Sequence, residues 1–460
     1  MLNLPKILVQ IAEKITQAGG TPILVGGAVR DHLLGLDSKD LDIEVFGLTE
    51  NQLVKILRNY GPVLSVGKAF GVLKLSINDE IFDFSLPRKE IKTGAGHKGF
   101  DIETDPDLTF RQASSRRDFT INAMGYDIQH KKILDEFDGG KDLENRILRV
   151  VDPKTFADDP LRVLRGIQFA ARFQLNVTDD TLSVFKSLVK TLSELPTERI
   201  FEELKKLLLK AEKPSIGFQL ADKAGVIEKL FPELYALHAI PQDPEWHPEG
   251  DVWAHTMMVI DEAAKLKNNN EFHDLSLMLA ALCHDFGKPA TTSFADGRWR
   301  SLKHTEAGVE PTKIFLDRLT NEQKLMDNVM ALVKEHLQPA QLFQSSKVTD
   351  GAIRRLSLRV DIPLLLKVAQ ADHFGRLDEE ARKRVFPAGQ WLSERFNELE
   401  LADATKVHPI LMGRHLLDLG MKPGPKFGLL LNEAFELQLD DNLNSLEDAI
   451  EWAKKRIQEL

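Results

Sequence analysis

Near its amino-terminal end the chain reads Ile23-Leu-Val-Gly-Gly-Ala-Val-Arg-Asp-His-Leu-Leu-Gly35. The apolar start is typical of a strand, and the segment after the two glycines is typical of a short helix. Gly26 and Gly27 would let backbone N–H groups approach an anion, and Arg30, one turn further on, could reach phosphate oxygens. We therefore expect an anion site at a strand-to-helix turn. For the two glycines alone, a plain turn with a surface salt bridge is the simpler interpretation.

The following strand adds carboxylates. The segment Lys39-Asp-Leu-Asp-Ile-Glu-Val-Phe46 alternates, so Asp40, Asp42 and Glu44 are expected on one face and the apolar residues on the core face. Asp83, between two phenylalanines, is expected on the neighbouring strand. Paired carboxylates beside a phosphate-binding turn suit phosphoryl transfer assisted by Mg²⁺, because this ion takes carboxylate oxygens and shares its other positions with substrate phosphates. A solvated acidic face of an edge strand is the alternative.

The pattern of the sequence changes along the chain. Short β-branched runs punctuated by Gly and Pro fill the first third, which indicates an α/β or α+β sheet domain, and after Pro153 helical periodicity dominates. At 460 residues the chain has room for about three domains. The expected early elements are the strands Pro22–Val25, Leu41–Phe46, Gly71–Ile77 and Ile81–Leu86, and the helices Lys6–Ala18 and Ala28–Leu34.

The charge balance argues against a broad nucleic-acid surface. Sixty basic and 70 acidic residues give a net charge of −10, whereas phosphate contacts need clustered Lys and Arg. Two segments escape the acidic bias: residues Leu86–Thr120 contain seven basic and six acidic residues, and Val150–Lys210 contain ten and nine. A nucleic-acid partner would therefore be bound with modest, salt-sensitive affinity and recognised largely by shape.

Composition also indicates a compartment. One cysteine excludes a framework of intramolecular disulfides and favours a reducing environment. No apolar run approaches the ~20 residues that cross a bilayer, and the first ten residues lack a signal-peptide pattern. A soluble cytoplasmic protein with no membrane partner is expected.

A second group of polar residues begins at Asp158-Asp-Pro-Leu-Arg, where an acidic residue and a proline are typical of a helix start. An amphipathic surface helix with ion pairs is the default interpretation of such a segment. The residues expected on the packed arc are Val163, Leu164, Ile167, Ala170 and Ala171, and those on the opposite arc are Asp159, Arg162, Arg165 and Arg172.

A third group combines histidine and aspartate. Eight of the thirteen histidines lie between His238 and His373. His255, the pair His284-Asp285 and Asp372 could complete an octahedral divalent metal site with open water positions, and His304 and His336 lie between them in the chain. A single histidine in a helical region is more often a capped or surface residue, but a His-Asp pair in an apolar setting is costly to bury without a metal or other partners.

The first group of motifs resembles a known family. The order Gly-Gly-x-Val-Arg-Asp, then Asp-x-Asp, then Arg116-Arg-Asp-Phe-Thr-Ile-Asn-Ala-Met124 is similar to the polymerase-β-like nucleotidyltransferases of the class II tRNA nucleotidyltransferase and bacterial poly(A) polymerase family. The resemblance implies an α+β fold, with a mixed-sheet head and helices followed by all-helical segments. It also assigns roles to individual residues: Asp40 and Asp42 would bind Mg²⁺ with Asp83 as a third catalytic carboxylate, and Gly26, Gly27, Arg30 and Arg117 would contact the nucleotide.

The other two groups resemble later parts of the same fusion family. Asp158-Asp-Pro-Leu-Arg162 is similar to the family motif Glu-Asp-x-x-Arg, which implies that Asp159 and Arg162, with Arg165, form a protein template for CTP and ATP. A carboxylate would accept from the exocyclic amino group that C and A share. The His-Asp pattern resembles the HD phosphohydrolase superfamily, which implies an unidentified divalent metal at the four residues of the third group and a possible activity on RNA ends.

Together these resemblances predict four domains: a head at 1–149, a helical neck and RNA-binding body at 150–238, an HD domain at 239–380 and a helical tail at 381–460. The expected activity is template-independent addition of CCA to the 3′ end of tRNA from CTP and ATP, with no DNA partner. An A-adding or CC-adding enzyme and a poly(A) polymerase stay open, and the Gly94–Phe100 loop is where they are expected to differ. A metal-dependent HD phosphohydrolase with an RNA-docking amino-terminal domain is an alternative of another class, and a purely structural RNA-binding protein is a weaker one.

Overall fold

The computed structural model describes residues 2, 4–37, 40–66, 71–77, 80–92, 100–403 and 407–459. The chain forms two compact units, Met1–Leu230 and Phe231–Leu460. Most of the Gly94–Phe100 loop lies outside the described residues. None of the helices in the described ranges combines the length and the apolar character that crossing a bilayer requires.

The first unit begins with a mixed sheet and its helices. Their bounds are α1 Lys6–Gln17, β1 Thr21–Val25, α2 Gly27–Leu33, β2 Asp42–Phe46, α3 Glu50–Leu57, β3 Val63–Val66, β4 Val72–Ile77, β5 Glu80–Ser85, β6 Arg88–Lys92, β7 Phe100–Thr104, α4 Phe110–Ser114, β8 Gly125–Asp127, β9 Lys132–Leu134, α5 Gly139–Glu144 and β10 Ile147–Leu148. The four predicted strands and two predicted helices are confirmed to within one residue at each end.

Seven strands form the main sheet in the order β3-β4-β5-β2-β1-β8-β9. Strand β2 runs parallel to β5, whereas the other pairs in this sheet are antiparallel. The inner strands β1 and β2 are buried along nearly their whole length, as expected of strands covered on both faces.

Helices dominate the rest of the first unit. Their bounds, with one short strand, are α6 Pro153–Phe156, α7 Leu161–Phe173, β11 Asn176–Val177, α8 Asp179–Leu188, α9 Thr197–Lys210, α10 Pro214–Lys223 and α11 Val226–Leu230. The arc predicted to pack on α7 is buried, and α7 lies against α9 and α10. Phe119 meets the rings of Phe156, Phe169 and Phe185 edge to face, so an aromatic cluster fixes α7 against the segment that follows Arg117.

The second unit is almost entirely helical. Its elements are α12 Pro232–Tyr235, α13 Val252–Ala264, α14 Glu271–Cys283, α15 Lys288–Thr291, β12 Thr292–Ala295, β13 Arg298–Ser301, α16 His304–Ala307, α17 Val309–Asp317, α18 Gln323–Glu335, α19 Gln338–Gln344, α20 Asp350–Arg359, α21 Ile362–Phe374, α22 Glu379–Arg382, α23 Pro387–Glu398, α24 Gly413–Asp418, α25 Pro425–Leu439 and α26 Leu446–Glu459. Helix α14 is buried on all sides from Asp274 to Cys283 and packs against α13, α18 and α21. It is the central helix of this unit's core.

The expectation that helices dominate after Pro153 is confirmed, but it missed one hairpin. Strands β12 and β13 pair antiparallel around Asp296 and Gly297, whose φ angles are 51° and 77°. Two consecutive left-handed residues of the type Asp-Gly favour a tight hairpin turn. The signal was present in the sequence, but the surrounding helical periodicity obscured it.

Candidate functional site

The register of the main sheet brings the glycine turn and two carboxylates together. Residue Val25, the last of β1, is paired with Asp42 on β2, and Asp42 is paired with Asp83 on β5. Directly after Val25, the chain turns at Gly26, whose φ of 76° is a conformation that favours glycine. Two aspartates on neighbouring strands therefore lie beside the turn that begins α2.

The electrostatics of this pair fit a bound cation. Loss of hydration raises the pKa of Asp42, and the Asp83 carboxylate raises it further. The Oδ1 atom of Asp83 is buried and makes no hydrogen bond to any residue that the structure describes, while its Oδ2 lies 3.3 Å from Lys74 Nζ. Two crowded carboxylates with an unused buried oxygen match the hard oxygen ligands that a divalent ion such as Mg²⁺ takes.

The alternating pattern around Asp42 was only partly right. Asp40 precedes β2 and is exposed, because the partner strand β1 ends at the Gly26 turn and offers no residue to pair with it. Asp40 still adds to the raised pKa of Asp42, so its charge acts at the same place. Glu44 was expected on an open acidic face but is 1% exposed, since Arg116 and Arg117 cover it at 3.2 and 3.5 Å.

Arg30 lies inside the protein and is already engaged. It is 4% exposed, and its Nε and Nη1 atoms donate to Asp31 at 2.8 Å and to Asn122 at 2.6 Å. Its guanidinium group also lies over the rings of Phe169 and Phe173. A direct bond from Arg30 to a phosphate would require these contacts to open, so in this conformation Arg30 holds the turn in place.

The guanidinium group of Arg117 also lies against the glycine turn. A Cβ atom added to Gly26 would lie 3.2 Å from Arg117 Nη1, and one added to Gly27 would lie 3.3 Å from Arg30 Nη2. The two glycines therefore leave room for both guanidinium groups against the backbone. Arg117 retains an exposed portion, with 21% of its side chain accessible, and can turn toward an anion at the turn.

The three residues expected to choose the base lie at the start of α7, and each has a partner within the first unit. Asp159 accepts a hydrogen bond from the backbone N–H of Leu161 and forms an ion pair with Arg199 at 2.9 Å. Arg162 donates to the carbonyl oxygen of Thr155 at 2.7 Å. A base that used Asp159 would have to compete with Arg199 for the same carboxylate.

Sequence reasoning missed the residues that join α7 to the glycine turn. The Asp118 carboxylate accepts from Arg165 Nε at 2.8 Å and from Asn122 Nδ2 at 3.0 Å, and Asn122 in turn accepts from Arg30. Asp118 is 6% exposed, and although burial opposes ionisation, Arg165 lowers its pKa below the usual range. The motif Arg116-Arg-Asp118 contained a signal, but only the fold shows that its aspartate connects α7 to the glycine turn.

The second unit brings the four predicted His and Asp residues together on, or directly after, three helices. The sites are His255 on α13, His284 and Asp285 directly after α14, and Asp372 on α21. His255 Nε2 lies 3.1 Å from Asp372 Oδ1, and His284 Nε2 lies 3.2 Å from Asp285 Oδ2. All four are at most 6% exposed.

This cluster fits a metal ion by its own chemistry. The Nε2 atom of His284 is buried and makes no hydrogen bond within the described part of the chain. Donor atoms of His255, His284 and Asp285 all lie within 4.8 Å of one another. Imidazole nitrogen and carboxylate oxygen together suit Zn, Mn, Fe, Co or Ni, and buried groups of this kind are rarely left without a partner.

Charge partners keep the acidic groups of the cluster ionised. Burial opposes ionisation of Asp285, but His284 and Lys288 hold its pKa well below the usual range. For His255, burial alone would lower the pKa, yet hydrogen bonds with Asp372 and Glu249 outweigh it and raise the pKa. Glu249 Oε1 lies 2.8 Å from His255 Nδ1, a contact that orients the ring toward Asp372.

Two further histidines that the sequence did not assign lie in the same cavity. His304 begins α16, and His336 directly follows α18, where it is 2% exposed. Burial, and then the neighbouring His284, lowers the pKa of His336 to about 3, so its ring is neutral at neutral pH. The cavity is also lined by Trp246, Trp299, Lys288 and Arg376, which places aromatic and cationic groups around the cluster.

Family models match three parts of the chain. The model described as the poly A polymerase head domain matches residues 23–149. The model described as the probable RNA and SrmB-binding site of polymerase A matches residues 174–237, and the HD domain model matches residues 252–377. These matches agree with the order of the motifs in the sequence.

Individual relatives extend over most of the chain. The multifunctional CCA protein of Acinetobacter baylyi is 36% identical over 371 residues, which is 78% of this chain and 85% of that protein. The protein of the same name from Mannheimia succiniciproducens is 39% identical over 301 residues, covering 64% and 69%. The crystal structure of the Bacillus stearothermophilus CCA-adding enzyme in complex with CTP has the same fold, with a TM-score of 0.68, 18% identity and coverage of 98% and 97%. The chain belongs to the family of multifunctional CCA proteins, and the predicted α+β nucleotidyltransferase fold with a fused HD domain is confirmed.

Proposed function

We propose that the protein is a nucleotidyltransferase that adds C, C and A to the 3′ end of tRNA, using CTP and ATP. The observation that carries this proposal is the pairing of Asp42 with Asp83 beside the Gly26 turn. It occurs in a chain that shares more than a third of its residues with multifunctional CCA proteins over most of its length. Because the proposed substrate is tRNA, the cytoplasm is the expected compartment.

The carboxylates would hold the metal. Asp42 and Asp83 would offer oxygens from neighbouring strands, and Asp40 would add a third carboxylate from the segment before β2. Bound Mg²⁺ supplies neutralisation of the triphosphate and activation of the 3′-hydroxyl group of the RNA. The raised pKa of Asp42 supports this role, because crowded carboxylates gain most from a nearby cation.

The glycine turn and Arg117 would hold the triphosphate. Gly26 and Gly27 would let the triphosphate approach the backbone, and Arg117 would exchange part of its contact with Glu44 for phosphate oxygens. Arg30 would not contact the triphosphate but would fix the glycine turn through its hydrogen bonds to Asp31 and Asn122. These groups orient the α-phosphorus for attack by the tRNA hydroxyl.

Base choice would come from the start of α7. Asp159 would accept from the exocyclic amino group of C or A, and Arg162 would donate to a ring acceptor. G and U present different groups on that edge, so they would leave buried polar atoms unpaired. Arg165 would keep the helix in position through its ion pair with Asp118.

The activity is tested on three substrates: tRNA without CCA, tRNA ending in C and tRNA ending in CC. Each is incubated with CTP, ATP, UTP or GTP alone and with CTP and ATP together, and the 3′ ends are sequenced. We expect stepwise addition of C, C and A that stops at CCA. Addition only to the CC substrate would identify an A-adding enzyme, addition that stops after CC a CC-adding enzyme, and long A tails a poly(A) polymerase.

A second proposed activity belongs to the HD cluster. The buried set of His255, His284, Asp285 and Asp372 supports metal-dependent removal of phosphate from RNA ends. Replacing His284 by Ala should abolish release of phosphate from RNA with a terminal phosphate, while CCA addition is retained. His273→Ala, on the same helix α14 but outside the cluster, is the matched control. Equal phosphate release by the His284→Ala variant would refute the assignment.

A further inference from the structure

A second cavity, which we call the side cavity, adjoins the one at the HD cluster within the second unit. It has a volume of about 310 Å³, a size at which a cavity can hold a small organic group. Trp246, Asp372 and Arg376 line both cavities, so the two share a wall. A ligand with one end at the cluster can therefore extend into the side cavity.

The walls of the side cavity are largely aromatic and aliphatic. Phe343 of α19 and Phe386, directly before α23, line it, and Trp246 lies at its boundary with the first cavity. Phe343 is 46% exposed and Trp246 is 51% exposed. Large exposed rings around a concave site are typical of a surface that a ligand covers, and such rings suit a nucleobase because every base has a π-face.

The aromatic wall is held in place by contacts within the second unit. The ring of Phe386 stacks on that of His373, with centroids 5.2 Å apart and planes 26° apart. His373 Nε2 in turn donates to the carbonyl oxygen of Val385 at 2.9 Å. Gly389, the third residue of α23, leaves room for the Phe386 ring, with which a Cβ atom at this position would clash. The wall is thus formed before any ligand binds, which lowers the cost of binding.

Arg376 lies between the two cavities and has a hydrogen-bond donor to spare. Its Nη2 atom lies 3.6 Å from Asp372 Oδ2, and 23% of its side chain is exposed. Its Nε atom is buried and makes no hydrogen bond to any residue in the described part of the chain. Buried donors are rarely left without a partner, and guanidinium groups bind phosphate oxygens well. A phosphate group between the two cavities would supply the missing acceptor.

We propose that the side cavity binds the base of the 3′-terminal nucleotide of an RNA whose terminal phosphate lies at the HD cluster. This inference rests on the proposed removal of phosphate from RNA ends, and it names the part of the RNA that the site recognises. The base stacks on the aromatic wall, and Arg376 binds the phosphate. Asp378 and Glu380 also line the side cavity. Ionised carboxylates only accept, so they favour a base with an exocyclic amino group, such as adenine or cytosine, over uracil.

Photocrosslinking locates the bound base directly. A single-stranded RNA of four nucleotides that ends in 8-azidoadenosine 3′-phosphate is irradiated with the full chain, and the labelled peptides are identified by mass spectrometry. We expect label on α19 or on the segment from Phe386 through α23. Label confined to the first unit or to other parts of the second unit, or no label at all, would overturn the proposal.

Two variants test whether the label depends on the side cavity. Phe343→Ala removes an exposed ring, and Ala388→Trp fills the space beside a lining residue that is 7% exposed. Each should lower the label by about 10-fold or more. Gln390→Trp is the matched control and should leave the label unchanged, because Gln390 is an exposed residue of α23 that bonds to Glu394. If thermal melting shows that Ala388→Trp has not folded, Phe343→Ala decides alone, and label at the parent level in that variant would overturn the proposal.

Competition tests the preference for an amino group. Unlabelled RNA ending in A or C should suppress the label at a concentration about 10-fold lower than RNA ending in U. Equal suppression by all three would overturn the role of Asp378 and Glu380.

Phosphate release separates this inference from the proposed activity on which it rests. In Phe343→Ala, the KM for RNA with a 3′-terminal phosphate should rise about 10-fold, whereas the KM for methyl phosphate, which has no base, should not change. An equal rise for both substrates would overturn the base site. If the parent protein releases phosphate from neither substrate, the proposed activity is wrong, and the positions of the crosslinks still decide whether the side cavity binds a base.

Discussion

The two candidate sites of this protein hold their charges in opposite ways. In the head, Asp42 and Asp83 are paired on neighbouring strands. Loss of hydration is the main cause of the raised pKa of Asp42, and repulsion from Asp83 is the second. In the second unit, Asp285 and Asp372 are buried among histidines, Lys288 and Arg376, which hold both pKa values well below the usual range. The proposed head site would gain most from a bound cation, whereas the carboxylates of the HD cluster already have cationic partners within the protein.

The largest expected effect separates activity from stability in the head. Asp42→Asn should lower the rate of CCA addition by roughly 10³-fold or more, because a metal ligand is lost. The same change should not lower the melting temperature in chelator, since it removes a repelled carboxylate whose raised pKa makes the ionised form unfavourable in the folded state. Single-turnover addition and calorimetric melting measure the two quantities.

The raised pKa of Asp42 also predicts how this residue makes the stability of the folded protein depend on pH. With a folded-state pKa above the unfolded value, the stability that protonated Asp42 contributes is complete below the unfolded pKa and is lost as pH rises through the folded pKa. The difference in melting temperature between Asp42→Asn and the parent should therefore grow as pH rises through that window. A variant that melts lower than the parent at neutral pH would contradict the contrast between the sites.

The next largest effect is a loss of stability in the HD cluster, whereas Asp42→Asn in the head should cause no such loss. Asp285→Asn should destabilise the chelator-treated protein by about 3 kcal/mol, because Lys288, 7% exposed, loses its buried ionic partner. Asp317→Asn is the control, since it removes a carboxylate from an exposed ion pair with Lys313 at 2.5 Å. That pair should contribute at most about 0.5 kcal/mol. Equal melting temperatures for the two variants would mean that the buried pair contributes no more than a surface pair.

The contrast between the sites also explains what the sequence could reveal. The strands around Gly26, Asp42 and Asp83 follow from local alternation and glycine positions, and their bounds were predicted to within one residue. Alternation could not show that Glu44 is covered, because the covering residues Arg116 and Arg117 come from a segment about 70 residues away. Local patterns report which residues share a face, not what lies against that face.

Long-range contacts account for the other residues that were missed. The ring of His336 lies 5.3 Å from that of His284 and 5.4 Å from that of His304 only because α16 and α18 pack near the end of α14. Arg30 and Asn122 are 92 positions apart, yet their hydrogen bond fixes the glycine turn. The histidine density between His238 and His373 favoured a metal centre, but which donor atoms come together depends on the packing of helices.

A smaller effect is expected on base choice, where Asp159 would exchange its ion pair with Arg199 for a bond to the base. Asp159→Ala should raise incorporation of UTP or GTP relative to CTP and ATP by up to about 100-fold, since the acceptor for the exocyclic amino group is lost. Arg199→Ala is the matched variant, because it removes the ion pair with Asp159 and leaves the carboxylate. It should retain selectivity for C and A.

Competition between the four nucleotides on tRNA ending in C measures this selectivity. If both variants lose selectivity equally, the ion pair between Asp159 and Arg199 matters for structure and Asp159 does not read the base. If only Asp159→Ala loses it, the carboxylate acts on the nucleotide itself. The pair of variants thus separates a template residue from a structural one.

The smallest effect tests how far the HD cluster is organised before metal arrives. Glu249 is buried, with 1% of its side chain exposed, and its hydrogen bond to His255 Nδ1 keeps the ring turned toward Asp372. Glu249→Gln preserves the shape of this residue but weakens the bond, so Mn²⁺ affinity in the Asp42→Asn background should fall by about 10-fold. Glu245→Gln, which alters an exposed carboxylate paired with Arg298, should leave the affinity unchanged.

Competition with a chelating dye measures the Mn²⁺ affinity of both variants. An unchanged affinity in Glu249→Gln would show that His255 is oriented by the packing of α13 alone. The HD cluster would then owe its arrangement to helix packing, and the hydrogen bond from Glu249 would be a consequence of that arrangement.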